Sequence, residues 1–218
     1  MKKTILLGLL VSAGLMNAQH TPKYGLFAGV SFSRFSGSDA GGFTSRTGFH
    51  AGGFIWNYLS DKISIDVELA YSQMGSDFNA SIPYRINEMD GPKSFTLNGH
   101  LKTDYLRLPV LFSYHPIDDL SVSLGPEIGI LLRKELEYDQ SINGSTKQKP
   151  DNLQQFDAGV RVKAQYIFAK HYLASAGYYL GMTKVYKNTE VYSFNSLTLQ
   201  DAPKIYNSGF GISVGYVF

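Results

Sequence analysis

Five histidines are the residues most able to bind a metal or move a proton: His20, His50, His100, His115 and His171. None stands from another at the spacing that a metal site on one element needs. The densest arrangement is His115 with Asp118 and Asp119, which could be drawn as a metal clip. It equally fits a polar turn, and the turn is the expectation, so no metal is expected. Gly209-Phe210-Gly211 with Gly215 has the glycines of a phosphate loop but no helix to follow it, because the chain ends at Phe218. No G-x-S-x-G elbow is present. Ser and His meet in no arrangement that would make a nucleophile, so neither catalysis nor a cofactor is expected.

The other chemistry lies in charges set at alternate positions of apolar segments: Asp66, Glu68, Arg107, Glu127, Asp157, Arg161 and Lys163. Four acids and three bases nearly balance. Charges on one face of an apolar strand need either water or each other, since an unpaired buried charge is costly. They can form a polar plug or an ion pathway, and the plug is favoured.

The segments that carry them repeat with a period of two, the signature of strands. Ile63, Ile65, Val67, Leu69 and Tyr71 alternate with Ser64, Asp66, Glu68, Ala70 and Ser72. The same pattern marks 24–34, 101–114, 120–132, 156–168, 172–182 and 206–218. Segment 48–58 supports two facings: His50 puts its even positions in a polar interior, whereas Trp56 and Tyr58 put them in lipid. The connections alternate in length. Those at 58–62, 115–119 and 168–171 are short; those at 36–46, 75–99, 134–153 and 184–203 are long and carry Gly41-Gly42, Asp90-Gly91-Pro92, Asn98-Gly99 and Asn143-Gly144. This rhythm belongs to an eight-stranded antiparallel up-and-down barrel with both termini at the short-turn end.

Composition agrees. Hydrophobic residues are 44%, charged residues 17% and Gly 22, with Tyr 15 and Phe 14. That excludes a disordered chain and an Ala- and Glu-rich helical bundle. A formal charge of +2 gives no footprint for nucleic acid. Cys is 0, which removes disulfides, thiolate metal sites and a lipid-modified cysteine. Lys2 and Lys3 precede an apolar run from Thr4 to Leu15, too short for a membrane span and suited to a signal peptide over 1–18. Its removal would bring the formal charge to zero, leaving a barrel domain over 19–218.

A lipocalin-like soluble barrel also has eight strands, with its apolar face inward. Here the opposite face is mostly Gly and Ser, which suits a crowded lumen. The apolar face gathers Tyr24, Phe112, Tyr114, Tyr166, Phe168, Tyr172, Tyr216 and Phe218 toward the short-turn end, as in the aromatic girdle of a transmembrane β-barrel. Lipid leaves no solvent for backbone groups, so strands cross it only as a closed ring.

Two resemblances extend this reading. Phe210-x-Ile212-x-Val214-x-Tyr216-x-Phe218 resembles the C-terminal signature of outer-membrane β-barrels, which implies recognition by the barrel-assembly machinery. Gly48-Phe49-His50-Ala51-Gly52, Leu59-Ser60-Asp61-Lys62, Glu68-Leu69-Ala70-Tyr71-Ser72-Gln73, Tyr105-Leu106-Arg107-Leu108-Pro109-Val110-Leu111 and Gly125-Pro126 resemble the PorT-like outer-membrane β-barrel family of Bacteroidota, often labelled porins. The resemblance covers about residues 20–218. It implies an outer-membrane location, with termini and short turns in the periplasm. Some PorT-like members are implicated in a secretion system, a role that no residue here carries over.

The expected protein is a monomeric, non-enzymatic transmembrane barrel in contact with outer-membrane lipid and lipopolysaccharide. Its four long loops would meet a surface or secretion-complex partner; a small channel is the alternative. Finally, the turn at 115–119 predicts Tyr114 opposite Leu120 and hence Arg107 directly opposite Glu127, with Glu68 and Arg161 flanking them at one height. Pro109, which lacks an N–H, could shift that register.

Overall fold

The computed structural model describes residues 21–84, 93–142, 145–193 and 196–218. Residues 1–18, read above as a signal peptide, lie outside them.

The strands are β1 (Lys23–Ser36), β2 (Phe43–Thr44), β3 (Arg46–Ser60), β4 (Ile63–Tyr84), β5 (Lys93–Ile117), β6 (Leu120–Ile142), β7 (Ser145–Gln148), β8 (Phe156–Phe168), β9 (Tyr172–Lys184), β10 (Thr189–Ser193), β11 (Ser196–Gln200) and β12 (Tyr206–Val217). Eight of them close a ring in the order β1, β3, β4, β5, β6, β8, β9, β12, and β12 pairs antiparallel with β1. The eight predicted segments are these eight strands. β2 pairs with β4, β7 with β6, and β10 with β11 as a separate hairpin.

Alternation sets the two faces. Leu26, Val30, Phe49, Leu69, Leu124, Val162, Ile212 and Val214 face outward, and all are exposed. The eight girdle aromatics are exposed as well. Around the seam they touch, with ring centroids 5.6 Å apart for Tyr24–Phe218, 5.4 Å for Tyr216–Phe218 and 5.7 Å for Tyr172–Tyr216. Such a belt is stable only against an apolar solvent.

Segment 48–58 resolves to one facing. His50, Phe54, Trp56 and Tyr58 all point inward, and no register shift occurs before Tyr58. Trp56 and Tyr58 therefore do not face lipid. Phe54 and Trp56 stack at 4.6 Å, and with Tyr58, Ile167, Leu173 and Val217 they fill the lumen at its short-turn end.

The stretches at 75–99 and 134–153 are not plain loops. β4 runs to Tyr84, β5 starts at Lys93 and β6 runs to Ile142, so the barrel wall continues as a sheet of three long strands beyond the apolar belt. The turn residues Asp90-Gly91-Pro92 and Asn143-Gly144 lie outside the described residues. Gly75, with φ +121°, marks where β4 leaves the wall, and only glycine adopts that backbone readily. Pairing of β3 with β4 stops at Ser72, and side chains then take over the exposed carbonyls. Ser31 Oγ donates to Gln73 O (3.1 Å), Arg46 Nη1 to Met74 O (2.7 Å) and Ser33 Oγ to Gly75 O (2.9 Å). Buried backbone acceptors need such partners once the ladder ends.

The register between β5 and β6 differs from the expected one by two residues. Tyr114 faces Val122, Arg107 faces Gly129 and Glu127 faces Pro109. The strands run on to Ile117 and Leu120, so the turn holds Asp118 and Asp119 alone and is shorter than the 115–119 loop assumed. A slip of two leaves every side chain on its own face. Pro109 interrupts the ladder without shifting it, since Phe112↔Leu124 continues the count set by Pro109↔Glu127.

Candidate functional site: the lumen and the external sheet

All seven predicted charges face the interior, and they converge across it. The Arg107 guanidinium donates from Nη1 to Glu127 Oε1 and from Nη2 to Asp157 Oδ2, both at 2.8 Å. Arg161 donates to the same Glu127 through Nε, and through Nη2 at 3.0 Å. Lys163 pairs with Glu68. Asp66 accepts from Ser64 Oγ and Ser113 Oγ, each at 2.6 Å.

Arg107 and Glu127 are thus bonded although they do not sit opposite each other. The guanidinium spans the two-residue offset, and Gly129 opposite Arg107 has no side chain to obstruct it. The expected alternation of Glu68, Arg107, Glu127 and Arg161 at one height is not formed as drawn. Glu68 turns to Lys163, and Arg107 takes Asp157 as its second partner. Strand tilt separates residues that a flat diagram puts in one row.

Sequence reasoning missed the aromatic and amide groups around this cluster. The Tyr105 and Tyr179 rings sandwich the Arg107 guanidinium at 4.7 and 4.3 Å. Asn207 Nδ2 donates to Asp157 at 3.1 Å. Both tyrosines occupy polar-face positions of their strands, and that parity was a readable signal. Arg107 and Glu127 are each 1% exposed, so their charges are held by one another and not by bulk water.

An apolar cluster lies toward each end of the lumen, with buried polar side chains such as Ser64, His115, Ser121 and Gln165 beside the lower one. The aromatic cluster around Trp56 lies at the short-turn end. Phe35, Leu101, Leu153, Val185 and Ile205 pack together at the other end, joined by Phe43, Leu136 and Tyr186. Between them, a cavity of about 50 Å³ lies among His50, Ser31, Ser213, Gly211, Arg161 and Lys163. It has room for a few waters. His50 Nε2 lies 2.7 Å from Ser213 Oγ there.

His115 does not stand with Asp118 and Asp119 in the turn. His115 is buried inside the barrel, bonded to Ser64 (2.9 Å) and packed on Tyr58, while Asp118 and Asp119 form the exposed turn. Among the described residues no His, Asp or Glu cluster has the geometry of a metal site.

On the external sheet the outward face changes from apolar to ionic. Glu137 pairs with Lys102 and lies 3.8 Å from Lys147, and Glu135 binds Arg133 at 2.8 Å. Hydrogen bonds from Lys102 hold Glu137 below the ordinary carboxylate range, and Arg133 and Lys147 do the same for Glu135. His100 lies between Asp77 (Nδ1 to Oδ1, 2.7 Å) and Asp139 (Nε2 to Oδ1, 3.3 Å).

A family profile described as outer membrane protein beta-barrel domain matches residues 17–187. Among solved structures, Neisserial surface protein A is similar with a TM-score of 0.51 and 12% identity, over 91% of this chain and 100% of that one. Ail, the attachment invasion locus protein of Yersinia pestis, gives 0.45 and 10% over the same shares. OprG of Pseudomonas aeruginosa gives 0.40 and 13%, over 90% and 94%. At 12% identity the likeness to Neisserial surface protein A is one of fold. No curated protein matches the sequence.

Proposed function

The chain belongs to the outer membrane protein β-barrel domain family and resides in the outer membrane, and from that premise we propose that it is a non-enzymatic surface protein with a closed lumen, working through its external sheet and long connections. The observation that carries this reading is the lumen itself: two apolar clusters bracket a buried, mutually paired set of charges. Ions cannot cross apolar packing without a large desolvation cost. Purified protein in planar bilayers is therefore expected to show no current steps. Stable nanosiemens-scale steps would replace this reading with the small-channel one.

The termini and short turns lie in the periplasm in this reading, and the external sheet meets lipopolysaccharide and a surface partner. The barrel acts as a monomer. Its last strand carries the assembly signal Phe210, Ile212, Val214, Tyr216 and Phe218, all exposed on the lipid face. Deleting Phe218 is expected to lower the amount of inserted protein severalfold and leave it open to periplasmic protease. Unchanged insertion in a membrane fractionation would remove the signal role.

A PorT-like role as an assembly factor for a secretion complex is the second reading, favoured by the resemblance of the Glu68–Gln73 and Tyr105–Leu111 stretches. Those stretches supply Glu68, Tyr105 and Arg107 to the lumen cluster, so their chemistry is accounted for inside the barrel. Co-purification of secretion components from native membranes would favour the assembly role.

A further inference from the structure

We propose that the lumen is a one-sided water pocket: bound water enters its internal cavity from the short-turn end along a file of hydrogen-bonded polar side chains, and the far end is sealed. The apolar cluster at the short-turn end fills only part of the cross-section. Its members come from β3, β8, β9 and β12. On β4, β5 and β6 the inward positions beside it are polar. Tyr58 of the cluster is the direct cross-strand neighbour of Ser64, Ser64 of Ser113, and Ser113 of Ser123. All three serines are buried.

The file is continuous. A cleft of about 500 Å³ at the short-turn end is bordered by Lys23, Asp61, Asp118 and His115. His115 Nε2 lies 2.9 Å from Ser64 Oγ, and Ser64 Oγ donates to Asp66 Oδ1 at 2.6 Å. Gln165 Nε2 donates to Asp66 Oδ2 at 3.4 Å, and Gln165 also lines the internal cavity of about 50 Å³. His115, Ser64, Asp66 and Gln165 thus join the cleft to the cavity. Ser113 widens the polar side, its Oγ 2.6 Å from both Asp66 Oδ2 and Ser123 Oγ. Water moves between such groups by exchanging one hydrogen bond for another, which apolar packing does not allow.

A second observation points to water beside the file. Trp56 is the direct cross-strand neighbour of Asp66, and its indole Nε1 is buried with no acceptor among the described residues. A buried donor next to a polar seam gives its hydrogen bond to bound water. The far end is built differently. Phe35, Leu101, Leu153, Val185 and Ile205 pack on one another there, and the backbones of their stretches bond together, Gln154 N to Val185 O and Val185 N to Ile205 O at 2.8 Å each. The route stops at that seal, so the pocket takes up water and passes no ions. The few waters it holds do not replace the pairing among Arg107, Glu127 and Asp157. The pocket fills whatever the external sheet binds.

Water-to-protein magnetisation transfer, read by solid-state NMR on the protein in lipid bilayers, tests this. Gln165 and Asn207 are both buried side-chain amides, each 2% exposed. Gln165 ends the file, whereas Asn207 bonds to Asp157 and is the cross-strand neighbour of Phe35 in the far seal. Gln165 is expected to receive the water signal severalfold faster than Asn207. Ser64→Val, which fills the file with methyl groups, is expected to bring Gln165 down to the Asn207 rate. Ser113→Val is expected to act in the same direction from β5, and it takes over the test if Ser64→Val does not insert. Leu153→Ala, in the far seal, is expected to leave Gln165 unchanged. Equal rates at the two amides in the unaltered protein would overturn the pocket. So would a Gln165 rate that neither valine variant lowers, or one that only Leu153→Ala changes, since water would then enter from the far end.

Discussion

Arg107→Met is expected to destabilise the folded barrel by about 3–5 kcal/mol, because it strands carboxylates in a lumen that has no bulk water to receive them. Asp157 loses its cation outright, whereas Glu127 keeps Arg161. The loss should therefore be partly recovered by adding Asp157→Asn, which removes the carboxylate that Arg107 alone neutralises and can still accept from Asn207. Adding Glu127→Gln instead should not help, since it frees Arg161. Urea unfolding from lipid vesicles measures each term. Trp56, the single tryptophan, is 1% exposed in the aromatic cluster at the short-turn end and reports when that end opens. A cost below about 1 kcal/mol for Arg107→Met would mean that water reaches the cluster freely and that its pairs are worth no more than surface ones.

The second large effect concerns the lipid face of the barrel wall. Val162 and Lys163 are neighbours in β8, one exposed to lipid and the other buried in the lumen. Val162 sits mid-strand, level with Leu124 on β6 and Tyr178 on β9. Val162→Arg is expected to cost about 2–4 kcal/mol, the range for a cation at the middle of the hydrocarbon. The same change at Tyr216, in the aromatic girdle at the membrane boundary, should cost about 0–1 kcal/mol by the depth rule alone. Equal costs at the two sites, measured by the same urea titration, would contradict the depth profile inferred from the girdle.

Those two faces were legible in the sequence because a period of two is all that a barrel strand needs to separate lipid from lumen. Asp66, Glu68, Arg107, Glu127, Asp157, Arg161 and Lys163 were found by parity alone, and parity survives any even error in register. Partner choice did not follow from parity. It depends on turn length, strand tilt and side-chain reach, and the turn at Asp118-Asp119 proved three residues shorter on its β5 side than the chain pattern implied, with an irregularity between Tyr114 and Ile117 that leaves a net slip of two. Trp56 and Tyr58 left the facing of 48–58 open for another reason: aromatics serve both at the membrane boundary and inside a barrel, and composition does not separate the two. The external sheet was hidden because its strands are polar on their outward face, as in Asp77, His100, Lys102 and Glu137, so the apolar signal ended at the membrane although the pairing did not. The apolar seal of Phe35, Leu101, Leu153, Val185 and Ile205 draws on five separate stretches, and no local pattern announces it.

The ring also sets an order in time. Its seam joins the first strand to the last, and the final hydrogen bond runs from Phe218 N to Tyr24 O at 2.9 Å. At roughly 5–20 residues per second, synthesis of Phe218 follows that of Tyr24 by about 10–40 s. Throughout that interval β1 has one edge without its eventual partner, and its apolar face has not met lipid. Until β12 arrives, that edge is open to pairing with other chains, and ring closure waits on the twelve residue pairs, Ser36↔Tyr206 to Gly25↔Val217, that join β1 to β12.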